Sequence, residues 1–111
     1  MPTARFELKR TSDQQFMFNL IAPNNEVILT SERYTTKQNA QKGAASVKTH
    51  APEDDNYQRL TAKDNSPYFT LRADNHEVIS KSEMYSSKQM RDKGIEAVKE
   101  HAPGAEVRDV T

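Results

Sequence analysis

The chain has 111 residues, and its 16 Lys and Arg are balanced by 16 Asp and Glu. It is therefore sized for one domain and carries no overall field to draw it to nucleic acid or an anionic membrane. It has no cysteine, which excludes disulfide staples, thiol nucleophiles and thiolate zinc sites and fits a reducing compartment.

From the N-terminal side, FELKR (Phe6 onward) and FMFNLIA (Phe16 onward) alternate apolar with other residues. Phe6 and Leu8 share one side, and Phe16, Phe18 and Leu20 share one side; that period of two predicts strands. PNNE (Pro23–Glu26) is a turn signal, because Asn and Asp readily form turns and Asn tolerates the left-handed conformation. VILTSE then returns as the second arm of a hairpin. After Tyr34 the pattern becomes helical. Thr35 with Gln38 three residues on predicts a capping box, and Ala40, Gly43, Ala44, Val47 and Ala51 fall on one helical face. Gly43 costs about 1 kcal/mol inside a helix relative to alanine, so a close neighbour is expected there, and the sheet is the expected one. Pro52 ends the helix, since the residue before proline avoids helical geometry. Tyr57–Thr61 follows as a strand.

The chain then repeats itself. EVILTSERYTTKQNAQKGAASVKTHAP (26–52) returns 51 residues later as EVISKSEMYSSKQMRDKGIEAVKEHAP (77–103), and between 6–52 and 57–103, 20 of 47 aligned positions are identical, fifteen of them in these stretches. DNHE replaces PNNE, Ser86 with Gln89 repeats the capping box, Gly94, Ile95, Val98 and Ala102 repeat the stripe, and a last strand is expected near Val107–Val110. One unit of this size is near the limit at which a core closes by itself. The prediction is a single α+β domain spanning 1–111: tandem βββαβ repeats in a pseudo-twofold arrangement, forming one antiparallel sheet with two helices packed on it.

These residues, above all the run from EVI through SVK to the proline in both copies, resemble the YegP-like family of small bacterial proteins, a family with a domain of unknown function. The resemblance covers nearly the whole chain. It implies two βββαβ units sharing one sheet, with the strands at Tyr57–Thr61 and Val107–Val110 exchanged between units. It implies no activity, cofactor or catalytic residue.

The polar residues repeated between copies are the candidates for a site. Glu32 and Tyr34, with Glu83 and Tyr85, sit where strand becomes helix. There a tyrosine packing over the first turn and a glutamate favouring the positive helix end compete with an anion pocket built from free N–H groups and Lys37 or Lys88. His50 and His101 lie at helix C-termini, where the dipole favours imidazolium. With His76 the only other histidine, a metal site is not expected. Lys42 and Lys93 also repeat. Arg91 breaks the repeat, standing where the first copy has Ala40 on the apolar stripe. It is expected either to snorkel or to pair with a carboxylate across the unit boundary.

No GxSxG, Walker or GxGxxG loop occurs, with only three glycines present, and no enzyme chemistry is read here. The basic helix edges lack the aromatic platform of a single-strand binder. No run of about 18 apolar residues would span a membrane, and MPTARFELKR lacks a signal-like apolar stretch. The expectation is a cytoplasmic binding or interaction module of unknown ligand, without cofactor, with a homodimer as one arrangement. A structural or stress-associated accessory protein without a small ligand is the alternative.

Overall fold

A computed structural model describes residues 3–111. The order is β1 (Arg5–Arg10), β2 (Phe16–Ile21), β3 (Val27–Ser31), α1 (Lys37–His50), β4 (Tyr57–Thr61), β5 (Pro67–Arg72), β6 (Val78–Ser82), α2 (Lys88–His101) and β7 (Glu106–Asp109), with a short 3-10 turn after each helix. One seven-stranded sheet runs β4-β5-β6-β3-β2-β1-β7. Each copy contributes a three-stranded meander, and the two meanders join where β3 meets β6 through Leu29 with Ser82, Thr30 with Lys81 and Ser31 with Ser80. The pseudo-twofold axis passes between Thr30 and Lys81, the one pair that the symmetry maps onto itself.

The expected α+β architecture is present, and the predicted sheet needs one correction. It is mixed, because β7 lies beside β1 in parallel, pairing Arg5 with Glu106 and Leu8 with Asp109. A strand entering from α2 reaches that edge already running in the direction of β1. The strand that follows each helix does cross to the other copy: β4 pairs with β5, and β7 with β1.

Alternation places Phe6, Leu8, Phe18, Leu20, Leu29, Phe69 and Leu71 in one fully covered core with Val47 of α1 and Ile95 and Val98 of α2. Burying such side chains stabilises by about 1.5–3 kcal/mol each. Ser80 stands where the first copy has Leu29; it is fully buried, and its hydroxyl has no partner among the described residues. The tips of the four hairpins each place one residue in the left-handed region, at Gln14, Asn25, Asn65 and His76. Two of these follow the predicted turns. In PNNE, Asn24 Oδ1 accepts from Glu26 N, and in DNHE, Asn75 Oδ1 accepts from Glu77 N.

The helix starts differ from expectation by one residue. Thr36 and Ser87 are the N-caps, accepting from Asn39 N and Met90 N at 3.1 Å. With the cap at Thr36 rather than Thr35, Gln38 falls one position short of the place from which it could reach back, so the reciprocal box does not form.

Candidate functional site

Ser31 fixes the junction that leads into α1. Its hydroxyl accepts from Phe18 N at 2.9 Å and donates to Glu32 O at 2.7 Å, and Ser82 repeats this with Phe69 N and Glu83 O. Tyr34 is then pinned to β2 by exchanged backbone hydrogen bonds with Phe16. Tyr85 has only one such bond, to Pro67 O, because proline has no N–H to return.

The two tyrosine rings lie flat against the sheet aromatics. Tyr34 stacks on Phe18 at 6.4 Å, and Tyr85 on Phe69 at 6.2 Å. Each ring edge passes directly over the helical glycine. A Cβ on Gly43 would meet Tyr34 Cζ at 2.8 Å and Phe18 Cε2 at 3.1 Å, and one on Gly94 would meet Tyr85 Cζ at 2.7 Å. The close neighbour expected of these glycines is thus first a tyrosine of the same copy, with the sheet behind it.

The seam determines what faces each tyrosine. Because β3 and β6 run antiparallel, the turn that enters β3 lies beside the junction that leaves β6, and the reverse holds at the other end. Two clefts result, each built by both copies. One, of about 670 Å³, combines Glu83, Tyr85, Lys93 and Gly94 with Ala22, Asn24, Glu26, Val27 and Ile28. The other, of about 510 Å³, combines Glu32, Tyr34, Lys42 and Gly43 with Ala73, Asn75, Glu77, Val78 and Ile79. These are the same nine residues at both places, and all nine are identities of the repeat. Burial raises both phenols above the ordinary tyrosine range; the next cause is Glu32 for Tyr34, and Glu83 then Glu26 for Tyr85. Each hydroxyl therefore stays protonated at neutral pH.

The other candidates separate from these tyrosines. Lys37 turns away and bonds Asp109 of β7 at 2.8 Å, so the anion pocket that was the alternative at this helix start does not gather around it. Lys88, its counterpart, lines neither cleft; the lysines that do are Lys42 and Lys93. His101 lines the larger cleft. His50 bonds back to Ser46 O through Nδ1 at 2.8 Å, with Nε2 3.7 Å from Asp74. No cluster of three metal-ligating side chains occurs among the described residues.

Arg91 is buried and bonds Asp92, its neighbour on α2, at 3.2 Å. That corrects the expectation of a carboxylate across the unit boundary. Its setting accounts for it: Arg59 replaces Leu8 of the first copy on this corner of the sheet and reaches both Asp54 and Asp92, while Lys99 bonds Asp54 at 2.7 Å. Leu8 is buried beside β7, but β4 has no outer strand, and charges occupy the open corner. This is an edge protected by arginines and aspartates rather than a cleft residue.

Sequence reasoning missed the far wall of each cleft, Glu26 with Val27 and Glu77 with Val78. Their identity was visible, but as part of a turn and a strand; only the seam brings them to the other copy's tyrosine.

A family model described as a domain of unknown function, DUF1508, matches residues 12–58 and again 62–109. A UPF0339 protein of Bordetella pertussis (strain Tohama I) is 59% identical over 102 residues, 92% of each chain. The UPF0339 protein YegP of Escherichia coli (strain K12) is 46% identical over 106 residues, 96% of each. The solution NMR structure of a UPF0339 protein from Shewanella oneidensis superposes with a TM-score of 0.92 at 45% identity, covering 98% of this chain and 92% of that one. That of yegP from E. coli gives 0.93 at 44%, covering 100% and 96%.

Proposed function

Since the chain belongs to the DUF1508 family, whose curated relatives carry no assigned function, we propose from its own geometry that it is a non-enzymatic binding module with two related clefts. One observation carries this: nine identities of the repeat line each cleft, drawn from both copies. A scaffold alone would need the serines, tyrosines and glycines that hold the junctions. It would not need Lys42 and Glu77, or Lys93 and Glu26, which are exposed and make no ion pair among the described residues. The chemistry offered is recognition: a protonated phenol, carboxylates and an ammonium beside an apolar wall. The cysteine-free composition suits a cytoplasmic setting.

Amide shift mapping against pooled metabolites, nucleotides and short peptides tests the proposal. Shifts confined to Tyr34, Gly43 and Glu77, or to Tyr85, Gly94 and Glu26, are expected. A flat response to every pool overturns the reading in favour of an accessory protein without a small ligand.

A further inference from the structure

The repeat makes β1 and β4 equivalent, with Tyr57 and Arg59 standing where the first copy has Phe6 and Leu8, yet only one of them is covered. β7 lies along β1 in parallel, Val107 opposite Phe6 and Asp109 opposite Leu8; β4 has no outer neighbour. Lys37, at the start of α1, bonds Asp109. Its identity in the second copy, Lys88 at the start of α2, is exposed and makes no ion pair among the described residues.

The backbone of β4 is set for such a strand. Ala62 N bonds Ser66 O across the hairpin. Successive residues of a strand present their N–H and C=O to opposite sides, so Gln58 and Leu60 serve β5 while Arg59 and Thr61 face outward. Leu8 does the same on the covered edge, where its C=O accepts from Val110 N at 2.9 Å. Asp92, one turn beyond Lys88 on α2, reaches Arg59 at 3.5 Å, which brings the start of α2 over this edge as the start of α1 lies over β7. The charges of Arg59, Asp54 and Asp92 disfavour an apolar strand here, whereas an acid opposite Arg59 gains from that arginine and from Lys88. Neutral Asn56 and Gln58 stand where Arg5 and Glu7 meet Glu106 and Arg108, so the remaining positions of a partner are not selected by charge.

We infer that the open edge of β4 binds an extended segment of a partner protein in parallel. The segment has an apolar residue opposite Tyr57 and, two residues on, an aspartate or glutamate beside Arg59 and Lys88. Main-chain hydrogen bonds supply the affinity and the acid supplies the selection. This surface is separate from the two clefts and does not rest on their binding function.

The probe is the chain's own edge strand as a capped peptide, AEVRDVT (residues 105–111), titrated into the isotope-labelled full chain, whose β1 is already covered. Amide shifts at Arg59 and Thr61, with side-chain shifts at Lys88, are expected. N-methylation of the peptide at the valine after the aspartate removes the N–H that meets Arg59 C=O and should abolish them; N-methylation at the aspartate, whose N–H points away, should not. Lys88→Ala, an exposed change, should weaken binding about threefold, as loss of an exposed ion pair does, and should have no such effect on the Asp109→Asn peptide. Shifts at Leu8 and Arg108 instead would mark exchange with β7, and concentration-dependent shifts of β4 without peptide would mark a second copy on the edge. Either result, an equal effect of the two N-methyl positions, or no response to the peptide overturns the inference.

Discussion

At the scale of single residues, the repeated glycines and tyrosines form one device. Alanine is worth about 1 kcal/mol more than glycine in a helix interior, so Gly43→Ala would stabilise an isolated helix. Here the new methyl enters the space of Tyr34 Cζ and crowds Phe18 Cε2, and overpacking costs about 1–3 kcal/mol. The expected outcome is a net loss of about 1 kcal/mol in urea denaturation for Gly43→Ala and for Gly94→Ala, with the tyrosine displaced from its cleft. Tyr34→Ala combined with Gly43→Ala should recover the helix gain that Gly43→Ala alone does not show, which distinguishes crowding from a backbone effect. The glycine cost was legible in the sequence, but its cause was not. A 3.6-residue period gives the face of a helix, not which side chain crosses it from nine residues upstream.

At the scale of elements, β7 is the piece most dependent on charge. All four of its residues are exposed, and its outer end is tied to the start of α1 by Lys37 and Asp109. The Lys37 hydrogen bond, followed by those from Thr111, holds the Asp109 carboxyl below its ordinary range. The sign follows from linkage: a carboxylate whose folded pKa is depressed contributes stability above its unfolded pKa and loses it as pH falls through the folded value. Docking of β7 should therefore be intact at neutral pH and persist through ordinary carboxylate titration near pH 4. It should fray only in stronger acid, with the Arg108 and Val110 amides, which face β1, losing hydrogen-exchange protection before those of β1 and β2. Lys37→Ala should move that fraying toward neutral pH. Strands, turns and helices of the two copies were legible because alternation, PNNE and DNHE, and the helical stripes all have local periods. The direction of β7 was not, since a strand with no buried face has no alternation to read, and the N-cap slipped by one because Thr35 and Thr36 both offer a hydroxyl.

At the scale of the whole molecule, neither copy is complete. Each lends its central strand to the seam and its turn to the other's cleft, so residues 1–61 alone retain β3 with an unpaired edge. Such a fragment is expected to be unfolded as a monomer, or to pair through β3 as a symmetric dimer with two identical clefts. Sedimentation with circular dichroism decides between these, and a folded monomer would contradict the account. The repeat made the pseudo-twofold legible from sequence, whereas the clefts required the seam. Arg91 likewise became intelligible only with Arg59 and the open β4 edge in view.

The parallel pairing of β1 with β7 also determines how the protein meets mechanical load. Tension applied between the start of β1 and the end of β7 pulls two neighbouring parallel strands in opposite directions along their length. Their hydrogen bonds, over the four pairs from Arg5 with Glu106 to Leu8 with Asp109, are strained together rather than peeled one by one. An antiparallel final strand at that edge would have opened like a zip. The fold therefore resists stretching along its own axis at the strand it holds least tightly by burial.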